Sequence, residues 1–142
     1  MIVPDLNLLL YAVNSDCPEH RQSRTFWEGS LNGKETVGIA WIVVLGFLRI
    51  STSPRVFSSP LSIRQALEIV DSWIDTPLVR IINPGDHHYE ILKILLLESG
   101  SGGNLTTDAH LAALCIEKKA TLYTADNDFG RFAALRWKNP LH

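Results

Sequence analysis

The stretch TLYTADNDFG, residues 121–130, ends a short apolar run on a threonine and then sets two aspartates around an asparagine. An apolar run this short, closed by Asx residues, reads as a buried strand that stops at a tight turn. Such a turn needs no chemistry, because Asp and Asn hydrogen-bond their own backbone. The same geometry also aims Asp126 and Asp128 beyond the end of a strand. What those carboxylates do depends on which residues stand beside them.

Working outward, TTDAHLAALCIEKKA (106–120) is an amphipathic helix leading directly into that strand. Asp108 lies in its first turn, on the face shared by Leu111, Ala112 and Cys115. At the far end of the chain, residues 2–4 form another short strand, closed by Pro4-Asp5, and Leu6–Val13 is helical. Between these ends, CPEHRQSRTFWEGSLNG (17–33) is a helix stopped at Asn32-Gly33, and TVGIA (36–40) is a strand. WIVVLGFLRIST (41–52) is apolar on every side and predicts a buried helix; SPRVFSSP (53–60) is a loop. Ser62 and Gln65 form a capping box that opens a helix with Ala66, Leu67, Val70 and Ile74 inward. LVRII (78–82) is a strand, His88–Ser99 a helix with Ile91, Leu92 and Leu95 inward, and LRW (135–137) a last strand. Short apolar strands alternating with helices specify an α/β protein. The expected fold is a central parallel β-sheet of four to five short strands flanked by helices on both faces, in a single domain over 1–142.

The 142 residues, 46% hydrophobic and 20% charged, suit one globular domain. A net charge of −2 argues against coating nucleic acid by bulk electrostatics and leaves room for a local basic patch. Cys17 and Cys115 make no metal-ligand pattern, and Cys115 reads as a small core residue. The start of the chain has no basic n-region, and VGIAWIVVLGFL (37–48) is too short to span a bilayer, so a cytoplasmic protein without membrane contact is expected. GSGGN (100–104) follows a helix rather than a strand and is no dinucleotide fingerprint. Histidines 20, 87, 88, 110 and 142 show no paired spacing on one helix and read as surface or structural residues.

Taken singly, Asp5, Asp108 and Asp126 are explained by turns and helix starts. Taken together, they share one address. Asp5 and Asp126 follow strands of a parallel sheet, at the carboxyl ends where sites form, and Asp108 opens the helix before the second of those strands. Carboxylates gathered there repel one another unless a cation neutralises them. Oxygen ligands without His or Cys favour Mg²⁺ or Mn²⁺. That chemistry suits metal-assisted phosphodiester hydrolysis. Asn7, Asn104 and Thr124 stand beside the acids and can orient them. Arg49, Arg55 and Arg131 are candidates for phosphate contact. Phe129 and Phe132 read as core anchors, and Trp27, Trp41 and Trp73 as core or dimer-interface residues.

VPDLNLLLYAV, LTTDAHLAAL and LYTADNDFGRF, in this order and spacing, resemble the PIN-domain ribonucleases, and in particular the VapC-type toxins of prokaryotic toxin–antitoxin pairs. The resemblance implies a PIN-like α/β fold, a homodimer, an Mg²⁺- or Mn²⁺-dependent endoribonuclease acting on structured RNA such as tRNA or rRNA, and a cognate VapB-like antitoxin. Asp5, Asp108 and Asp126 match the family's first, third and fourth acids, and Asp128 an additional one. The glutamate that many members carry on the helix after the second strand is here Gly46, with Arg49 following. That departure implies weaker metal binding, compensation by Asp128, or loss of catalysis, the last giving a silent module that binds RNA or an antitoxin without cleaving.

Overall fold

A computed structural model describes residues 1–141. Five strands, β1 (Ile2–Pro4), β2 (Val37–Ala40), β3 (Val79–Ile82), β4 (Thr121–Tyr123) and β5 (Trp137–Lys138), form one sheet in the order β3-β2-β1-β4-β5. Every pairing is parallel, with Ile2 opposite both Val37 and Thr121, and Tyr123 opposite Lys138. The chain lays its first three strands outward on one side of the sheet and then crosses to the other side of β1 for β4 and β5. The carboxyl ends of β1 and β4 therefore flank the point where the strand order reverses, the place where parallel sheets open a crevice.

Six helices connect the strands: α1 (Leu6–Val13), α2 (His20–Leu31), α3 (Trp41–Ser51), α4 (Ile63–Ile74), α5 (His88–Ser99) and α6 (Leu105–Glu117). They pack in two groups, α1 against α2 and α3 with α4 following, and α5 against α6. Every residue of β1 and β2 is buried, as strands covered on both faces must be. Phe47, Ile39, Leu9, Leu114, Leu122 and Phe129 are among the largest fully buried side chains. Trp73 packs edge-on against both Trp27 and Phe47, tying α4 and α2 to α3. The helix boundaries obey local chemistry. Ser62 and Gln65 make both bonds of the expected capping box. Gly100, at φ 67°, closes α5 in the left-handed conformation that glycine adopts without a Cβ penalty.

Three sequence expectations are corrected. Leu67 and Ile74 are exposed rather than inward, because α4 buries only the narrow stripe of Ala66, Val70 and Trp73. α3 is not buried on every side: Trp41 and Leu45 stand 50% and 62% exposed, while Val43, Val44, Gly46 and Phe47 face the core. Trp41 is therefore no core residue, unlike Trp27 and Trp73. His142 lies outside the described residues. Among the described residues no helix is long and apolar enough to cross a membrane.

Candidate active site

Each of the two strands at the sheet's switch point ends in an acid that starts a helix. Asp5, in extended conformation after β1, caps α1: its Oδ1 accepts from the Leu6 amide at 2.7 Å. Asp126, extended after β4, caps a 3₁₀ turn over Asn127–Arg131, with its Oδ1 accepting from the Asp128 amide at 2.8 Å. The turn chemistry of the DND sequence is thus present, and it occupies only one of the two Asp126 oxygens.

The fully buried Thr124 joins the two strand ends. Its hydroxyl donates to Asp5 Oδ2 at 2.7 Å and accepts from the Asp126 amide at 3.0 Å and from Asn7 Nδ2 at 3.4 Å. Asn7 Oδ1 in turn accepts from the Ala125 amide at 3.4 Å. One hydroxyl, aided by one carboxamide, thereby sets the positions of both acids.

Asp108, in the first turn of α6, completes the group. It shares a cleft of about 200 Å³ with Asn104, Leu105, Asp128 and Arg131. Arg131 is held by its Nε–H, which donates to the Asp128 carbonyl at 3.1 Å; among the described residues its terminal nitrogens have no hydrogen-bond partner. Arg49 and Arg55 are exposed on α3 and on the turn after it, and neither lines the cleft.

The electrostatics report crowding. Burial pushes the Asp5 carboxyl above its ordinary range; the Thr124 hydroxyl and the Leu6 amide draw it partly back, and the Asp126 charge adds to the rise. Asp108 is also raised, first by burial, then by the charges of Asp5 and Asp126; Arg131 opposes this and Asp128 reinforces it. Burial pushes the Cys115 thiol up to about 12, and the Asp5 charge adds to that rise. A carboxyl raised on folding stabilises the fold below its unfolded pKa, and that contribution is lost as pH rises through the folded value. Ionised Asp108 therefore works against the fold at neutral pH when no cation is bound. Asp108→Asn should raise the metal-free melting temperature at pH 7, with the gain shrinking toward pH 4; an unchanged or lower melting temperature at pH 7 would contradict this repulsion.

Among the described residues, no three His, Cys, Asp or Glu side chains are placed to hold a metal ion as they stand. The donor chemistry nevertheless fits a hard divalent cation: among the described residues Asp108 accepts no hydrogen bond, Asp126 keeps one oxygen free, and neither histidine nor cysteine lines the cleft.

Gly46 has a local explanation. A Cβ on it would come within 2.5 Å of Leu6 Cδ2, so α1 and α3 meet where a side chain would otherwise stand. Leu6 directly follows Asp5. At this position the site carries an apolar contact instead of a carboxylate. Sequence reasoning missed a second pairing as well. His88 Nε2 and His110 Nδ1 lie 2.9 Å apart between α5 and α6, a contact that spacing along one helix could not reveal.

A five-stranded parallel sheet in this order, with acids following two of its central strands, defines a class of α/β proteins. The chain belongs to the PIN domain family, whose profile matches residues 2–135. It is 43% identical to ribonuclease VapC33 of Mycobacterium tuberculosis over 141 residues, 99% of each chain. It is 41% identical to ribonuclease VapC37 of the same organism over 140 residues, covering 99% of this chain and 97% of that one. VapBC2 of Rickettsia felis, solved bound to a DNA fragment from its promoter, contains a chain of the same fold; TM-score is 0.69 at 22% identity, with 98% of each chain covered.

Proposed function

We propose that this chain is a metal-dependent endoribonuclease of the VapC kind, the toxin half of a toxin–antitoxin pair, acting on structured RNA such as tRNA or rRNA. The observation that carries the reading is that the charges of Asp5, Asp126 and Asp128 all act on Asp108, which with Asp128 lines a cleft. The names of the VapC33 and VapC37 ribonucleases support RNA as the substrate. Mg²⁺ or Mn²⁺, when bound, supplies Lewis-acid polarisation of a phosphoryl oxygen and lowers the pKa of water.

The rest falls to the chain's own residues. Asp5 and Asp126 would hold the cation from fixed positions, because Thr124 and the helix-capping bonds restrain them. Asp108 and the exposed Asp128, which line the cleft, would complete the set. Asn7 and Thr124 orient these acids, and Asn104 borders the cleft mouth. Arg131, with its terminal nitrogens free, meets the phosphate. The test is cleavage of matched RNA and DNA strands by the purified chain with Mg²⁺ or Mn²⁺. Cutting of RNA that EDTA stops supports the reading, and cutting of DNA alone removes the ribonuclease assignment.

A VapB-like antitoxin is the partner this reading implies, and the VapBC organisation of the Rickettsia felis relative supports it. We also propose a homodimer. Trp41 and Leu45, one turn apart on α3 and exposed, form an apolar strip that a second copy would cover. Light scattering should give about twice the 15.9 kDa chain mass; a monomer mass at micromolar concentration would remove the dimer.

The contact of Gly46 with Leu6 favours a second reading, a silent PIN-like module that binds RNA or an antitoxin. Calorimetry separates the two. The enzyme takes up Mn²⁺ as it stands, whereas a silent module does so only after Gly46→Glu, paired with Leu6→Ala to make room. No Mn²⁺ uptake by the parent, with uptake by the double variant, would decide for the second reading.

A further inference from the structure

The chain carries net charge −2, yet residues 129–141 hold Arg131, Arg136 and Lys138 and no acid. Lys138 lies on the edge strand β5, and Arg136 immediately precedes that strand. The Leu122 amide donates to the Arg136 carbonyl at 2.9 Å, and the Thr124 amide to the Lys138 carbonyl at 3.0 Å. Lys138 is therefore bonded directly to the residue that holds Asp5 and Asp126. Asn139 Nδ2 donates to Asn127 Oδ1 at 3.3 Å, which fastens the end of β5 to the acid-bearing turn.

With the carbonyls of both Arg136 and Lys138 turned toward β4, the extended backbone between them sets these two residues on one face at a spacing of about 7 Å. Arg136 is anchored by one guanidinium nitrogen, which donates to the Lys119 carbonyl at 2.6 Å. Lys119 sits at φ 54° in an exposed turn beside Lys118. Among the described residues, none of Lys118, Lys119, Arg131, Arg136 and Lys138 is in an ion pair. A line of cations thus runs from the amino end of β4, along the sheet edge, to the cleft. Guanidinium groups braced by one backbone carbonyl keep their other N–H groups for bidentate contact with an anion.

We propose that this edge, Lys119, Arg136 and Lys138 leading to Arg131, is the track along which the phosphates flanking the scissile linkage of an RNA strand are held. The proposal rests on the ribonuclease reading for its substrate and adds where the strand lies. Edge-strand cations also discourage strand-to-strand aggregation. That role alone leaves RNA affinity independent of these residues.

The test is fluorescence anisotropy of a labelled oligouridylate with the full chain in EDTA, titrated across KCl concentrations. Each phosphate contact on a single strand contributes about 0.7 to the slope of log affinity against log salt. Arg136→Gln with Lys138→Gln keeps a polar edge, and it should lower that slope by about 1.4. Charge reversal at both positions should weaken binding further, and Lys93→Gln, on α5, should change nothing. An unchanged slope in the double variant, or no binding by the parent, overturns the track. A parallel cleavage assay with Mg²⁺ keeps the two ideas separable. Cleavage with an unchanged slope removes the track alone, and a lowered slope without cleavage removes the nuclease and leaves an RNA-binding edge.

Discussion

Asp126→Asn is expected to lose RNA cleavage by about a thousand-fold or more, roughly 4 kcal/mol of barrier at 1.36 kcal/mol per tenfold. The fold should survive. Asp126 caps the following turn through a single oxygen, at 2.8 Å from the Asp128 amide, and an asparagine carbonyl can accept the same bond. What the substitution removes is the charge. With Asp5 and Asp108 raised in part by that charge, its loss relieves the remaining acids while depriving the cation of a ligand. Loss of cleavage with an equal or higher metal-free melting temperature is the expected pair of results. Cleavage within tenfold of the parent would remove Asp126 from the chemistry.

The second large effect belongs to Thr124. Thr124→Val keeps the shape and deletes a hydroxyl that makes one bond as donor and two as acceptor. A buried carboxylate and a backbone amide then lose their partner, at a cost of about 1–3 kcal/mol. Cleavage should fall about 10–100-fold, the usual consequence of removing a group that orients a metal ligand. The Thr124 bond favours the ionised form of Asp5, so its loss moves that carboxyl further up, and the acid limb of the pH–rate profile should shift to higher pH. Thr124→Ser should restore both stability and pH profile. A valine variant with a slower rate but an unmoved acid limb would make Thr124 a packing residue only.

Much of the fold was legible because β1, β2 and β4 are short apolar runs closed by polar or helix-starting residues, and such runs have few alternatives in a chain of this length. The helix faces were less legible. Periodicity grouped Leu67 and Ile74 with Ala66 and Val70, but the buried stripe ends at Trp73, since α4 meets the rest of the protein along one narrow seam. α3 gave no directional signal, being apolar all round, so its exposed Trp41–Leu45 strip emerged only in three dimensions. For the site, sequence put the acids after strands and at a helix start. That Thr124 reaches Asp5, Asn7 and the Asp126 amide at once depends on the β1–β4 register, which no local pattern encodes. Gly46 could be read as a missing acid; the leucine that takes its space could not.

The bond between Asp5 and Thr124 joins residues 119 positions apart, and β1 finds its β4 partner only at Thr121–Tyr123. A chain extended only as far as α5 therefore holds Asp5 without Asp108, Asp126 or Asp128. Under the proposed reading, competence to cleave cannot precede the docking of β4 beside β1, so the order of synthesis delays it.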